Sequence, residues 1–296
     1  KASNTADFTF AATVEVVHLL KLKSVLVDVD YDTFNIDIEK LKAAITPKTK
    51  AIIPVHLFGQ CANMEAVLEV AKEHNLFVVE DNCQGIGADY KFADGATKKS
   101  GTMGTLGVTS FFPSKNLGAY GDGGALFTQQ PDLAERLRMI ATHGQKKKYH
   151  HEIVGVNSRL DTMQAAILNV KLKYLDHYAA KRAEVAAYYD AKIRNVNVVL
   201  PVRAPYSSHV FHQYTIKVLK GRRDALRDHL DRKGVPTMIY YPVPLHLQNA
   251  YRREGFGPGS FRVTEKLSSS VLSLPIHTEM DQDQLSYICS CINDFQ

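Results

Sequence analysis

Residues 106 to 124 read "LGVTSFFPSKNLGAYGDGG". An apolar run ends at a proline, Lys115 follows, and the next nine residues hold four glycines, Gly118, Gly121, Gly123 and Gly124. A lysine on the protein surface gains nothing from such surroundings. A lysine that must lose its proton and attack a carbon needs a tightly shaped pocket that excludes water. The stretch therefore predicts a buried strand followed by a chemically active lysine.

Other apolar runs of the same kind occur on both sides of this stretch. They show little polar alternation, they are separated by helical segments, and they cover residues 24–30, 51–59, 76–81, 108–112 and 124–128. Such runs favour a parallel sheet that is covered on both faces. The sequence therefore predicts an α/β fold with a mostly parallel central sheet flanked by helices.

The pattern changes in the second half of the chain. A long amphipathic helix is expected to begin near Asn157, where Ser158 and Asp161 fit a capping box. After it come a strand at 210–219 and helices at 221–234 and 281–294. We therefore expect a large domain over residues 1–195 and a smaller C-terminal α+β domain over residues 196–296.

Bulk properties exclude several classes of function. The chain of 296 residues carries a formal charge of +5, and its only cationic run is Lys146 to Lys148, so no nucleic-acid partner is expected. Four irregularly spaced cysteines and the absence of a long apolar run indicate a reduced, cytoplasmic protein that does not enter a membrane. His143, His150 and His151 lack clustered carboxylates or cysteines, so no metal site is predicted.

Asp81 is the second position of chemical interest. It closes the run "LFVVED" at 76–81, and ligands of open α/β sheets bind at the carboxyl ends of strands. Glu80 is expected to point the other way, because side chains alternate along a strand. Taken alone, Asp81 could cap a helix, ligate a metal or pair with a cationic ring nitrogen.

Asp81 and Lys115 together narrow these alternatives. An acid at one strand end and a lysine beyond the next strand, followed by glycines, form the arrangement expected for pyridoxal 5'-phosphate. The lysine forms a Schiff base, and the acid keeps the pyridine nitrogen protonated so that the ring can act as an electron sink.

Four blocks resemble the DegT/StrS family of sugar-nucleotide aminotransferases, which are fold type I pyridoxal-phosphate enzymes. The resemblance runs from about residue 6 to the C-terminus, and its blocks are "VVEDNCQGIGADY" (78–90), "SFFPSKNLGAYGDGGALFT" (110–128), "HGQKKKYHHEIVGVNSRLDTMQAAIL" (143–168) and "YYPVPLHLQ" (240–248). The blocks keep the order and the rough spacing of the family.

The resemblance implies a role for each matching cofactor residue. Lys115 is the Schiff-base lysine and proton shuttle, and Asp81 is the partner of the pyridine nitrogen. Gln84 binds the 3-hydroxyl oxygen, Ser110 binds the phosphate, and Phe10 stacks on the ring. A pocket of Phe111, Phe112 and glycine backbone is expected to favour the neutral lysine.

The resemblance also implies residues for the substrate and for a second subunit. Asn157 reaches the partner's cofactor phosphate and Arg159 faces the same shared site, so a homodimer with composite active sites is expected. Tyr240, Tyr241 and His246 approach the sugar nucleotide.

The implied reaction is a ping-pong transamination. Glutamate converts the cofactor to pyridoxamine phosphate and leaves as 2-oxoglutarate, and a nucleotide-linked keto sugar then receives the amino group. The loop at 90–101 is most like that of enzymes acting on UDP-linked 3-keto sugars in surface polysaccharide and lipopolysaccharide biosynthesis. A 4-keto sugar and a non-catalytic, cofactor-binding regulator are the alternatives.

Two further expectations concern the N-terminal part of the chain. Roughly 60 to 70 residues that precede the aromatic block in the resembling family have no counterpart here, and "ASNT" at 2–5 is interpreted as a remnant of the family's phosphate loop. A D-x-D phosphatase motif at Asp28 to Asp30 is disfavoured, because Asp32 stands where that motif needs threonine or valine.

Overall fold

The computed structural model describes residues 1–296, and its central element is a six-stranded sheet. Its strands lie in the order Lys23–Val27 (β2), Ala2–Ala6 (β1), Thr49–Ile53 (β3), Phe77–Asp81 (β4), Leu106–Ser110 (β7) and Gly124–Phe127 (β8). Five strands pair in parallel and β8 runs antiparallel to β7. The strands of the chain are β1 Ala2–Ala6, β2 Lys23–Val27, β3 Thr49–Ile53, β4 Phe77–Asp81, β5 Asp89–Lys91, β6 Thr97–Lys99, β7 Leu106–Ser110, β8 Gly124–Phe127, β9 Gln145–Lys147, β10 His150–His151, β11 Val198–Val199, β12 Tyr214–Val218 and β13 Val271–Leu274.

Nine α-helices surround this sheet and a smaller one. They are α1 Ala12–Leu19, α2 Ile38–Ala44, α3 Met64–Glu73, α4 Pro131–Ala141, α5 Thr162–Lys171, α6 Leu175–Lys192, α7 Arg223–Arg232, α8 Arg262–Ser270 and α9 Gln282–Asn293. The smaller sheet is antiparallel, in the order β11-β12-β13. This architecture confirms the predicted fold class.

The sequence analysis does not predict the first strand of the chain. Ala2–Ala6 forms β1 between β2 and β3, so the interpretation of residues 2–5 as part of a phosphate loop is wrong. The pattern hides a strand because two of its buried side chains are polar: Asn4 donates to Ala44 O at 3.0 Å and Thr5 to Ile53 O at 2.8 Å. Both polar groups are satisfied, which allows them to lie in the interior.

The long helix is interrupted and begins later than predicted. Asp161 is the residue before the first turn of α5, and no side chain caps that helix. Asn157 instead forms an isolated bridge with Thr142. The prediction of a helix start at Asn157 with a Ser158 capping box is therefore wrong.

Two large apolar clusters account for the packing of the chain. The first lies mainly between residues 6 and 103, around the six-stranded sheet. The second surrounds the small sheet and includes Val185, Ala186, Tyr189 and Ile193 from α6 and the residue that follows it. The end of α6 thus packs with the second cluster, ahead of the domain boundary predicted at residue 195, and that boundary stays a prediction.

A helix that spans a membrane needs both sufficient length and an apolar character. None of the helices has both properties.

Candidate active site

Asp81 lies at the carboxyl end of β4, in the middle of the large sheet. Its Oδ2 accepts a hydrogen bond from Thr13 Oγ1 at 2.7 Å, and its Oδ1 accepts one from Cys83 N at 3.1 Å. An ionised carboxylate offers about four acceptor positions. Asp81 therefore retains acceptor capacity at the end of the sheet where ligands bind.

Glu80 points away from Asp81, as the alternation of side chains along β4 predicts. Its carboxylate is fully buried and accepts backbone hydrogen bonds from Gly101 at 2.7 Å, Met103 at 2.6 Å and Gly104 at 2.5 Å. His56 Nε2 adds a fourth contact at 2.9 Å. Burial raises the pKa of Glu80, but the hydrogen bonds from His56 and the backbone outweigh burial, so the net pKa is lowered. Glu80 thus fixes the chain that leads into β7.

Lys115 lies in the turn that follows β7, where its backbone N donates to Phe112 O at 2.8 Å. Burial lowers the pKa of Lys115, and the carboxylate of Asp81 opposes this effect. Lys115 follows β7 and Asp81 ends β4, and these two strands are parallel neighbours, so both residues lie at the same edge of the sheet. Lowering the pKa enlarges the fraction of neutral amine, which is the form that acts as nucleophile and base.

The wall around Lys115 differs from the expected one. Phe111 is buried in a separate cluster with Leu117 and Leu168, and Phe112 is 51% exposed. The prediction that Phe112 contributes to a dry wall is therefore wrong. Phe112 opens the turn that is closed by the bond from Lys115 N to Phe112 O, and about half of its side chain faces solvent there.

The residue after Lys115 ties this turn to the C-terminal part of the chain. Asn116 Nδ2 donates to Val210 O at 3.0 Å, and Asn116 Oδ1 lies 3.3 Å from His212 Nδ1. Burial lowers the pKa of His212 to about 3, and the charges of Lys115 and Arg182 act in the same direction. The lysine thus has a neutral imidazole as a neighbour.

One glycine of the predicted glycine-rich turn is required by close packing. A Cβ atom on Gly118 would lie 2.3 Å from Pro113 O, a distance that no side chain tolerates. Only glycine therefore allows the chain to fold back over the turn that carries Lys115.

Gln84 and Tyr241 form a pair beside this site. Gln84 Oε1 accepts from Phe58 N at 2.7 Å, and Nε2 donates to the Tyr241 hydroxyl at 3.0 Å. Burial raises the pKa of Tyr241, so its hydroxyl stays protonated. Because an amide nitrogen carries two hydrogens, Gln84 has one more to donate.

Phe10 and Ser110 complete the predicted cofactor residues. The ring of Phe10 is 57% exposed and its centroid lies 6.1 Å from that of Tyr241. Ser110 ends β7, two residues beyond Val108, the partner of Asp81 in the sheet register. Its Oγ accepts from Phe112 N at 3.2 Å, so the hydroxyl hydrogen is free to donate to a ligand.

The structure does not leave His246 free for a ligand. The side chain is 1% exposed, Nδ1 lies 2.5 Å from Asp7 Oδ2, and Nε2 lies 3.2 Å from Glu265 Oε1. Both ring nitrogens are therefore occupied, which contradicts direct binding of a substrate by His246. Tyr240 packs partly buried against the large cluster, with its ring centroid 5.8 Å from that of Tyr241.

Asn157 and Arg159 stand apart from the lysine. Arg159 Nε donates to Asn157 Oδ1 at 2.9 Å, and both side chains are exposed. They line a cavity of about 990 Å³ along β8, and neither Lys115 nor Asp81 contributes to that cavity. Within one chain the structure therefore does not bring these two residues to the lysine.

Three residues near the site are not predicted from the sequence. Thr13, Cys83 and His212 contact or electrostatically influence Asp81 and Lys115. The position of Thr13 three residues after Phe10 is the only available signal for Thr13. His212 is separated from Asn116 by 96 positions, and nothing in the local pattern links them.

Known proteins resemble this chain over nearly its whole length. A model of the DegT/DnrJ/EryC1/StrS aminotransferase family matches residues 5–293. A pleiotropic regulatory protein of Geobacillus stearothermophilus is 47% identical over 98% of this chain and 77% of that protein. A UDP-2-acetamido-2-deoxy-3-oxo-D-glucuronate aminotransferase of Pseudomonas aeruginosa is 44% identical over 98% of this chain and 78% of that protein.

Solved structures match over nearly the whole chain. The crystal structure of Streptomyces venezuelae DesV in complex with a ketimine intermediate has a TM-score of 0.94 at 39% identity and covers 99% of this chain and 78% of that one. NtdA of Bacillus subtilis, with bound cofactor PMP, has a TM-score of 0.88 at 30% identity and covers 99% of this chain and 67% of that one.

Proposed function

Because this chain belongs to the DegT/DnrJ/EryC1/StrS aminotransferase family, we propose that it transfers an amino group to a nucleotide-linked keto sugar. The observation that carries the proposal is that Asp81 ends β4 and Lys115 follows β7, the parallel strand that pairs with β4. The family assignment agrees with the resemblance found in the sequence.

The residues present fit pyridoxal 5'-phosphate. Asp81 has acceptor positions for a ring nitrogen, Gln84 has an N–H to donate to a ring oxygen, and Ser110 has a hydroxyl for a phosphate oxygen. Phe10 offers an exposed aromatic face. When bound, the cofactor supplies an electron sink for a negative charge that develops on carbon.

Lys115 acts as nucleophile and base in this proposal. Its amine would hold the cofactor, and in the neutral form its Nζ would accept a proton and give it back during the amino transfer. Asp81 would keep the ring nitrogen protonated, and the Gln84 and Tyr241 pair would orient the ring. Glutamate is the proposed donor and 2-oxoglutarate its product.

The proposed acceptor is a UDP-linked 3-keto sugar, which leads to an amino sugar for surface polysaccharide or lipopolysaccharide. The Pseudomonas relative, whose name specifies a 3-oxo UDP-sugar, supports this choice. The test is to incubate the enzyme with pyridoxal phosphate, glutamate and a UDP-3-keto sugar, and to detect the amino sugar by mass spectrometry. Product from a 4-keto sugar alone would overturn the 3-keto assignment.

A regulatory role is the second candidate, because the Geobacillus relative is named a pleiotropic regulatory protein. A regulator could bind the cofactor without turnover. Release of 2-oxoglutarate in amounts that exceed the enzyme concentration distinguishes the two candidates.

The proposal includes a homodimer in the cytoplasm, with active sites shared between subunits. Asn157 and Arg159 are exposed beside the cavity along β8, and Tyr120 and Met163 nearby are each 77% exposed. The four cysteines are all free thiols, which suits a reducing compartment. Mixing the inactive variants Lys115→Ala and Asn157→Ala should restore part of the activity, because one site of the mixed dimer keeps both residues. Absence of any recovery in mixed dimers would contradict shared sites.

A further inference from the structure

We propose that Thr13 is a positioning residue for Asp81, an inference that rests on the proposed function. Thr13 lies in the first turn of α1 and is 5% exposed. Its hydroxyl donates to Asp81 Oδ2 at 2.7 Å, across a separation of 68 positions. The bond ties α1 to the end of β4.

The hydrogen bond fixes the direction of the carboxylate. Asp81 Oδ1 is held by Cys83 N and Oδ2 by the Thr13 hydroxyl, so each oxygen has one fixed donor and free acceptor capacity. A carboxylate that is oriented in this way can accept a hydrogen bond from a protonated ring nitrogen.

The segment that enters α1 links this bond to the aromatic ring. Phe10 precedes the helix, and Thr13 N donates to Phe10 O at 3.4 Å. This backbone bond ties the position of Phe10 to that of Thr13. A shift of α1 would displace both contacts together.

The hydroxyl can be removed with little change of shape. Thr13→Val keeps the β-branched outline and removes the donor, whereas Thr13→Ser keeps the donor. A hydrogen bond to a charged group is worth enough to change an equilibrium by about tenfold or more. We therefore expect Thr13→Val to weaken the binding of pyridoxal phosphate by about tenfold or more.

The test is a double-mutant cycle with the dissociation constant of pyridoxal phosphate as the readout, together with the pH dependence of the absorbance of the bound cofactor. The proteins are wild type, Thr13→Val, Asp81→Asn and the double variant, with Thr13→Ser as the conservative variant. Thr215→Val is the matched control, because Thr215 is 1% exposed and bonds Ser273 Oγ at 2.8 Å in the small sheet. If Thr13→Val does not fold, Thr13→Ala replaces it in the cycle.

A positioning role predicts a large effect that depends on the carboxylate. Thr13→Val should weaken binding and shift the absorbance pH profile when Asp81 is present, but it should change binding by less than about twofold when it is combined with Asp81→Asn. Thr13→Ser and Thr215→Val should resemble wild type. An equal loss with and without the carboxylate, or no loss in either case, would overturn the inference. Failure of wild type to bind pyridoxal phosphate through Lys115 would overturn the proposed function, and this inference with it.

Discussion

Acidification should destabilise the protein through His209 and His212, which flank Val210, the residue whose carbonyl accepts from Asn116 in the turn carrying Lys115. Burial lowers the pKa of His209 and of His212 to about 3 in the folded state. The ordinary pKa of histidine is about 6.5, so the unfolded chain binds protons more readily as the pH falls. The contribution of these two histidines to the free energy of unfolding should therefore be fully present above about pH 7. It should decline as the pH falls through 6.5 towards 3.

The size of the effect follows from the two pKa values. At pH 5.5 the protonated form of each histidine exceeds the neutral form about tenfold when the chain is unfolded and is almost absent when it is folded, which costs about 1.4 kcal/mol per histidine. Asp7 acts in the opposite direction: burial raises its pKa to about 6 against the effect of His246, so the folded state gains about 0.8 kcal/mol from its protonation at pH 5.5.

Variants separate these contributions. The assay is urea unfolding at pH 7.5 and pH 5.5 of wild type and His212→Gln, with His277→Gln as the control because His277 is exposed. Between pH 7.5 and pH 5.5 the free energy of unfolding should fall by about 1.4 kcal/mol less in His212→Gln than in wild type. The control should show the same fall as wild type. Equal losses in wild type and His212→Gln, or a titration of His212 near pH 6.5 in NMR spectra of the folded protein, would refute the reasoning.

Three further outcomes follow from contacts at the site. Glu80→Gln should lower the free energy of unfolding by about 3 kcal/mol or more, because an amide cannot accept from all four donors around a buried carboxylate; a loss below about 1 kcal/mol in urea unfolding would contradict this. Gly118→Ala should lower the melting temperature and weaken the binding of pyridoxal phosphate, whereas Gly257→Ala should do neither, because a Cβ there meets nothing within 4 Å; equal behaviour of the two variants would argue against the close packing. Tyr241→Phe should lower kcat/KM by about tenfold because Gln84 loses its acceptor, and unchanged kinetics would remove the pair from the mechanism.

The alternation of side chains along β4 and the ends of β4 and β7 can be predicted from the sequence, because both depend only on residues that are close together in the chain. Glu80 and Asp81 point in opposite directions as the period of a strand requires, and Asp81 and Lys115 follow neighbouring strands, so the sheet brings them together. To predict that Asp81 and Lys115 lie at the same edge of the sheet, it is enough to assign β4 and β7 correctly.

The features that escape prediction depend on contacts between distant segments. β1 carries buried polar side chains whose partners lie 40 and 48 positions away, so its pattern does not look like a core strand. The motif around His246 assigns that residue to the substrate, yet Asp7 and Glu265 occupy its ring. A local sequence pattern cannot reveal a hydrogen-bond partner that is distant in the chain and comes close only when the chain folds.

The central claim is that Lys115 carries the chemistry with pyridoxal phosphate. The most direct measurement is the absorbance spectrum of the protein with added pyridoxal phosphate, before and after glutamate, for wild type and Lys115→Ala. We predict a band near roughly 410 to 420 nm in wild type that moves to roughly 330 nm with glutamate and never forms in Lys115→Ala. Absence of the band in wild type, or the same band and shift in Lys115→Ala, would contradict the account.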